Sequence, residues 1–159
     1  MTRERVLGLA VLLLSASAAA DKPTLKVREN QRDQLSVILC RYQEYRAQKV
    51  AAIAEEKKYA HEGGGVVDAS KLYELQQEMK VTDAGIAVAR RLLRETGLEA
   101  RACGARLVKI ATDCLSERLE DRAETKVCAD PATKAYVDSA LAQMQAIDDD
   151  QVVRAVDDR

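Results

Sequence analysis

Four cysteines, at positions 40, 103, 114 and 128, constrain the fold of this chain more than any other feature. Two of them, Cys103 and Cys114, lie in the segment ARACGARLVKIATDCLSERL (residues 100–119), which has helical periodicity. Within one helix their separation would be about 16 Å along the axis, whereas a disulfide joins Cα atoms roughly 4.4 to 6.8 Å apart. Each must therefore bond elsewhere, and the chain has to fold back to bring a partner near.

The N-terminus has the three-part pattern of a secretory signal peptide, residues 1–20. Arg3 and Arg5 form a basic start, residues 6–14 are apolar, and residues 18–20 are small alanines. This pattern predicts cleavage after Ala20 and a periplasmic or secreted mature chain. A membrane anchor takes about 20 apolar residues, so the run at residues 6–14 is too short to span a membrane. No later segment is apolar enough either, and no transmembrane segment is expected in the mature chain. An oxidising compartment favours pairing of the four cysteines into two disulfides.

The composition is typical of long helices. Trp and Phe are absent, aromatic residues make up 3% of the chain, and only two prolines occur. Hydrophobic residues make up 47% and charged residues 32%, which suits a coiled coil or a helical bundle. The net charge of −1 lacks the basic excess of a general nucleic-acid-binding protein, so no nucleic-acid partner is expected.

A seam of apolar or small residues at spacings of three and four supports the helical interpretation. It runs through Leu72, Leu75, Met79, Thr82, Ile86, Ala89, Leu93, Thr96, Ala100, Cys103, Leu107, Ile110 and Cys114. Such a seam belongs to helices packed nearly side by side. Shorter stripes occur at Leu35, Ile38, Tyr42 and Tyr45, and at Tyr136, Val137, Ala140, Leu141, Met144 and Ile147. No segment alternates like a strand, so an all-α fold is predicted.

Turn signals divide the chain into helices. Glycines at residues 63–65 separate the first two, and Asp68 or Ser70 would cap the second. Asp130 followed by Pro131 is a strong start signal for the last helix. Gly97 leaves two alternatives, because the seam continues through it. Either one long helix spans residues 68–124, or the helix stops at Gly97 in the left-handed conformation.

The cysteines favour a stop at Gly97. In a hairpin folded at residues 63–65, Cys40 lies level with residue 88 or 89. A second fold at Gly97 then brings Cys103 within one helical turn of Cys40, whereas a continuous helix leaves them roughly 20 Å apart. The predicted disulfides are Cys40–Cys103 and Cys114–Cys128. Cys40 lies off its helix's apolar stripe, so a free buried thiol at Cys40 is the alternative.

These signals predict an antiparallel, disulfide-stapled bundle of three long helices and a shorter C-terminal helix. The expected helices span residues 24–59, 68–96, 98–120 and 131–147. They form one domain over residues 21–147. The acidic segment 148–159 is a candidate for a disordered tail that orders on binding.

Candidate catalytic chemistry is sparse. His61 is the single histidine and is expected to be an exposed loop residue beside the glycine turn. The sequence has no CxxC pair, no second histidine for zinc, and no nucleotide, haem or nucleophile-elbow motif. Cys103 and Cys114 are expected on an apolar helical seam, which favours a structural role. We therefore expect no enzyme, no metal site and no cofactor.

One charged cluster is a candidate binding patch for an anionic surface or an acidic partner. Its members surround the predicted Gly97 corner and are Arg90, Arg91, Arg94, Arg101 and Arg106. The alternative is a solvated corner in which Glu95 and Glu99 are salt-bridge partners.

The sequence thus favours an exported, non-enzymatic interaction or scaffold protein of the cell envelope. A protein partner is expected, and a second copy of this chain is one candidate for it. A small-ligand or lipid carrier is the alternative, disfavoured because alanine-rich seams leave little room for a cavity. An enzyme whose site has no recognisable motif is a third hypothesis.

Overall fold

A computed structural model of the protein describes residues 22–62, 66, 68–123 and 125–157. Over these ranges the chain forms four helices and no strand: α1 (Leu25–Glu62), α2 (Ala69–Thr96), α3 (Arg106–Leu119) and α4 (Pro131–Asp157). The predicted all-α, disulfide-stapled bundle is confirmed. The predicted signal peptide and the glycine turn at residues 63–65 lie outside the described residues.

Two ion pairs show the register of the antiparallel hairpin that α1 and α2 form. Lys49 pairs with Glu78 and, seven residues away on each helix, Glu56 pairs with Lys71. The residue numbers of each pair add up to 127, so Cys40 lies level with residue 87, close to the predicted level. At the start of α2, the Asp68 carboxylate accepts hydrogen bonds from the backbone N–H groups of residues 70 and 71, which decides between the two candidate caps.

The predicted seam is confirmed along α2. Its members are half-buried near the start of the helix and buried towards its end: Leu72, Leu75 and Met79 are half-buried, and Thr82, Ile86, Ala89, Leu93 and Thr96 are buried. The seam does not continue as one helix, because α2 ends at Gly97 with a φ of 69°. The N–H of Gly97 donates to the carbonyl oxygen of Arg94 at 3.1 Å. Glycine adopts this left-handed conformation at little steric cost, and the continuous-helix alternative is wrong.

The start of α3 was predicted incorrectly, since residues 98–105 form an irregular segment that includes a turn at residues 103–104, and are not helical. This segment is bound to α1 through Arg101, whose N–H donates to Ser36 Oγ at 2.9 Å and whose Nε donates to Asp33 Oδ1 at 2.6 Å. The backbone N–H of Arg101 thereby bonds to α1 instead of to a carbonyl oxygen of its own segment. The Cys40–Cys103 disulfide holds the same segment against α1. Cys103, expected on a helical seam, therefore lies in an exposed turn.

Both predicted disulfides are confirmed. Cys40 is bonded to Cys103 with a Cα–Cα distance of 5.5 Å, and Cys114 is bonded to Cys128 with a Cα–Cα distance of 5.2 Å. The alternative of a free thiol at Cys40 is wrong. Cys40 is 2% exposed, so α1 packs against neighbours on this flank as well as on its apolar stripe.

The relative lengths of the last two helices are the reverse of those predicted. α3 has 14 residues and α4 has 27. The first residue of α4 is Pro131, as predicted, and the Asp130 carboxylate accepts hydrogen bonds from the N–H and the hydroxyl of Thr133 at 3.0 and 3.1 Å. At its other end α4 continues to Asp157 instead of stopping at residue 147, so the expected disordered tail is helical as far as it is described.

Contacts to the other helices explain this extension of α4. The hydroxyl of Tyr42 donates to Asp148 at 3.1 Å, and the guanidinium of Arg91 donates to Asp150 at 3.4 Å. Two carboxylates of the acidic segment are thereby paired with groups on α1 and α2, which favours ordered helix over a free tail.

The core involves the first half of α1 and the second half of α2, together with α3 and α4. α1 and α4 each contact all the other helices, whereas α2 and α3, both described along their full lengths, do not contact each other. Its central residues are Leu35, Ile38, Ile86, Ala89, Leu93, Val108, Ala111, Leu115, Val137, Ala140 and Ile147.

Candidate interaction surfaces

The distal half of the hairpin, residues 43–62 of α1 and 69–81 of α2, has no buried residue among the side chains that the structure describes. The buried residues of α1 lie between Asp33 and Tyr42, and those of α2 begin at Thr82. The hydrophobic core therefore supports one half of the hairpin and leaves the other half accessible.

At this boundary the contacts between α1 and α2 change from buried side chains to ion pairs. Tyr42 is buried, and the next equivalent positions along α1, at seven-residue intervals, are Lys49 and Glu56. Both form ion pairs with α2, through Glu78 and Lys71. Solvent-accessible ion pairs contribute about 0 to 1 kcal/mol each, which is less than a buried apolar layer provides.

Large apolar and aromatic side chains are exposed in this distal half. Val50 is 45% exposed, Tyr59 70%, Tyr73 62% and Val81 53%. A shallow groove of about 360 Å³ lies between the helices and is lined by Ala52, Glu55, Glu56, Tyr59, Lys71 and Leu75. Tyr59 lines this groove together with the apolar side chains of Ala52 and Leu75, and exposed tyrosines beside apolar side chains are typical of protein-binding surfaces.

The structure separates the five arginines that were predicted to form one patch. Arg91 is paired with Asp150 of α4 at 3.4 Å, and Arg101 is paired with Asp33 of α1 at 2.6 Å. The hydrogen bond to Asp33, with the charge of the same carboxylate, raises the pKa of Arg101. Both arginines therefore hold elements of the bundle together and are removed from the candidate patch.

The other three arginines, Arg90, Arg94 and Arg106, are exposed. The alternative prediction, in which Glu95 and Glu99 form the salt bridges of this corner, is also wrong for the two paired arginines. The carboxylates that pair with Arg91 and Arg101 are Asp150 and Asp33, which lie far away in sequence, so helical periodicity did not predict these pairs.

Arg90 lines a second groove, of about 440 Å³, on the hairpin. We call it the basic groove; its lining residues are Gln43, Arg46, Asp83, Ile86, Ala87 and Arg90. Sequence reasoning missed Arg46, since only the hairpin register brings it beside α2. There its Nε donates to Asp83 at 2.7 Å.

A third feature, also missed from the sequence, is a cleft built around Arg41, whose side chain is 2% exposed. Its guanidinium donates to Glu44 at 3.2 Å and to Glu120 at 3.0 Å, and lies 4.0 Å from the ring centroid of Tyr45. Burial by itself lowers the pKa of Arg41, but the interaction with Tyr45 and the hydrogen bonds to the two carboxylates outweigh that effect, so the pKa of Arg41 is raised. Arg41 therefore stays charged and ties the end of α3 to α1.

This acidic cleft has a volume of about 560 Å³ and is lined by Arg41, Glu44, Gln48, Asp113, Ser116, Glu117, Glu120 and Arg122. Four carboxylates face two guanidinium groups in this set. In the sequence, the one indication that Arg41 is buried is its position directly after the apolar run SVILC at residues 36–40.

In the described ranges, no group of three or more His, Cys, Asp or Glu side chains is placed to hold a metal ion. His61 lies in the last turn of α1 rather than in a loop, and its side chain is outside the description. None of the described helices combines the length and the apolar character needed to cross a membrane. Comparison of the chain with known protein families, curated proteins and solved structures found no match.

Proposed function

We propose that this chain is an exported, non-enzymatic interaction or scaffold protein of the cell envelope that presents the distal half of its hairpin to a protein partner. The observation that carries the proposal is the absence of buried residues there among the described side chains. Tyr59 and Tyr73 are both more than half exposed on this surface. Two helices without a core of their own are marginal in water, and a partner would complete their burial.

The compact half of the molecule supports this role as a rigid base. Two disulfides fasten α1 to the segment before α3, and α3 to the segment before α4. Disulfides of this kind persist in oxidising compartments, which is consistent with export.

A lipid or small-ligand carrier would need an enclosed apolar chamber. The grooves around Arg41 and Arg90 are lined mainly by charged and polar side chains. This lining favours an interaction protein over a carrier.

Site-specific photo-cross-linking in cells that make the protein tests the proposal. A photoreactive amino acid at position 59 or 73 should give a discrete protein adduct, whereas the same group at exposed Lys109 or Lys134 should not. Equal labelling from all four positions would contradict a specific role for the distal half. N-terminal sequencing of the recovered protein should begin at Asp21, and retention of residues 1–20 would contradict export by a cleaved signal peptide.

A further inference from the structure

The basic groove has a defined floor and unequal charge on its walls. Ile86 is buried and Ala87 lies beside it, while Arg46 comes from α1 and Arg90 from α2. Asp83 pairs with Arg46 at 2.7 Å. Arg90 has no carboxylate partner in the part of the chain that the structure describes. The groove therefore carries one uncompensated positive charge on α2.

Arg94 extends this charge along the same helix face. It lies four residues after Arg90, which places the two Cα atoms about 6 Å apart along the axis and on one face of α2. Arg94 is exposed and likewise has no carboxylate partner among the described residues. Carboxylates repeated every four residues on a partner helix would have the same spacing.

The opposite side of α1 carries the opposite charge. The acidic cleft around Arg41 has two more carboxylates than guanidinium groups, and one of those carboxylates, Asp113, pairs with Lys109, so an excess of one negative charge remains. An acidic partner is repelled there and attracted to the basic groove, so the charge distribution selects both the face and the kind of partner.

We infer that the basic groove, with Arg94 beside it, docks an acidic helical segment of a partner protein through guanidinium–carboxylate pairs at Arg90 and Arg94. The inference rests on the proposed interaction function and names the partner chemistry for one face of the hairpin. Arginine suits this role because its planar guanidinium binds a carboxylate through two parallel hydrogen bonds.

A binding titration with a defined probe tests the inference. The probe is a fluorescent helical peptide of about 16 residues, long enough for partial helicity in water, with glutamate at every fourth position. The control peptide has glutamine at those positions. The protein variant is Arg90→Glu with Arg94→Glu. Its matched control is Arg106→Glu with Lys134→Glu, which makes the same change in net charge at exposed residues outside the groove.

The glutamate peptide should bind the wild type, and the groove variant should weaken binding about tenfold or more, as expected for lost charge-assisted contacts. The matched control should change binding by less than about twofold, since only screened long-range charge differs. Equal weakening in both variants, or no preference for glutamate over glutamine, would overturn the inference. So would binding to phosphatidylglycerol vesicles, lost in the groove variant, without binding to the peptide. Any of these results would leave the proposed function standing if the cross-links from positions 59 and 73 persist.

Discussion

The ring of Tyr42 lies against the backbone of Gly85, so close that a Cβ atom built at position 85 would be 2.7 Å from the Tyr42 Cζ. The ring cannot move aside freely, because its hydroxyl donates to Asp148 of α4 at 3.1 Å. Burial, and then the charge of Asp148, raises the pKa of Tyr42, so the hydroxyl remains a donor. One side chain of α1 thereby fixes the spacing of α2 and the position of α4.

Gly85→Ala should therefore destabilise the protein, although alanine is the better helix former. Overpacking costs about 1 to 3 kcal/mol, and the gain in helix propensity returns about 1 kcal/mol. We expect a net loss of roughly 1 kcal/mol in the free energy of unfolding, measured by denaturant titration. Gly104→Ala is the control, since a Cβ there would meet no atom within 4 Å. In a Tyr42→Ala background the sign should reverse, and a persistent loss would show that the ring is not the cause.

Arg41→Ala should destabilise the junction of α1 with α3. The variant loses the hydrogen bonds to Glu44 and Glu120 and the contact with the Tyr45 ring. We expect a loss of about 2 to 4 kcal/mol, below the largest values for buried pairs because both carboxylates remain near water. Arg41→Met keeps much of the buried volume and should cost less. Equal unfolding free energies for the two variants would contradict the importance of packing at this site.

The two disulfides should differ in accessibility to a reducing thiol. Cys103 lies in an exposed turn, whereas Cys114 and Cys128 are 1% and 2% exposed. A dithiol reductant under native conditions should open Cys40–Cys103 first, because thiolate attack needs access to a sulfur atom. Alkylation at timed intervals, followed by peptide mass spectrometry, measures the order. Simultaneous loss of both bonds would indicate reduction through global unfolding.

Removing each disulfide by paired serine substitutions should lower stability to different extents. Cys40–Cys103 spans 63 positions and Cys114–Cys128 spans 14. In the loop-entropy model these contribute about 4 and 3 kcal/mol at most. Loss of Cys40 and Cys103 should therefore lower the melting temperature more. The reverse order would show that packing around Cys114 outweighs the difference in loop length.

The cap of α4 should make stability depend on pH in the acid range. Hydrogen bonds from the backbone and hydroxyl of Thr133 lower the pKa of Asp130 below its ordinary value of 3.8. A carboxyl with a lowered folded-state pKa stabilises the fold above its unfolded-state pKa, and that contribution disappears as pH falls through the folded-state value. Wild type should therefore be more stable than Asp130→Ala at neutral pH, with the difference shrinking below about pH 3.8. A difference that does not change with pH would contradict the role of the charge.

Much of the fold follows from local signals in the sequence. The spacing of Leu75, Met79 and Ile86 predicted the seam of α2, and Asp130 before Pro131 predicted the start of α4. The disulfide pairing was also predicted correctly, because a chain that folds at residues 63–65 and again at Gly97 brings Cys103 close to the level of Cys40. That result did not depend on Cys103 being helical, since it lies in a turn before α3.

The tertiary structure decided what depends on contacts between residues distant in sequence. Periodicity favoured helix over residues 98–105, but Arg101 bonds to Asp33 and Ser36 instead. Composition favoured a free acidic tail, but Asp148 accepts a hydrogen bond from Tyr42.

The arginines show most clearly the difference between what the sequence predicts and what tertiary contacts determine. Nothing in the sequence distinguishes one of these arginines from another. In the structure, however, Arg101 is paired with Asp33 of α1, whereas Arg90 lines a groove beside Arg46. Sequence periodicity determines which residues share a face of one helix. Which partner that face meets depends on the register and crossing of whole helices, and that is set by the packing of the entire core.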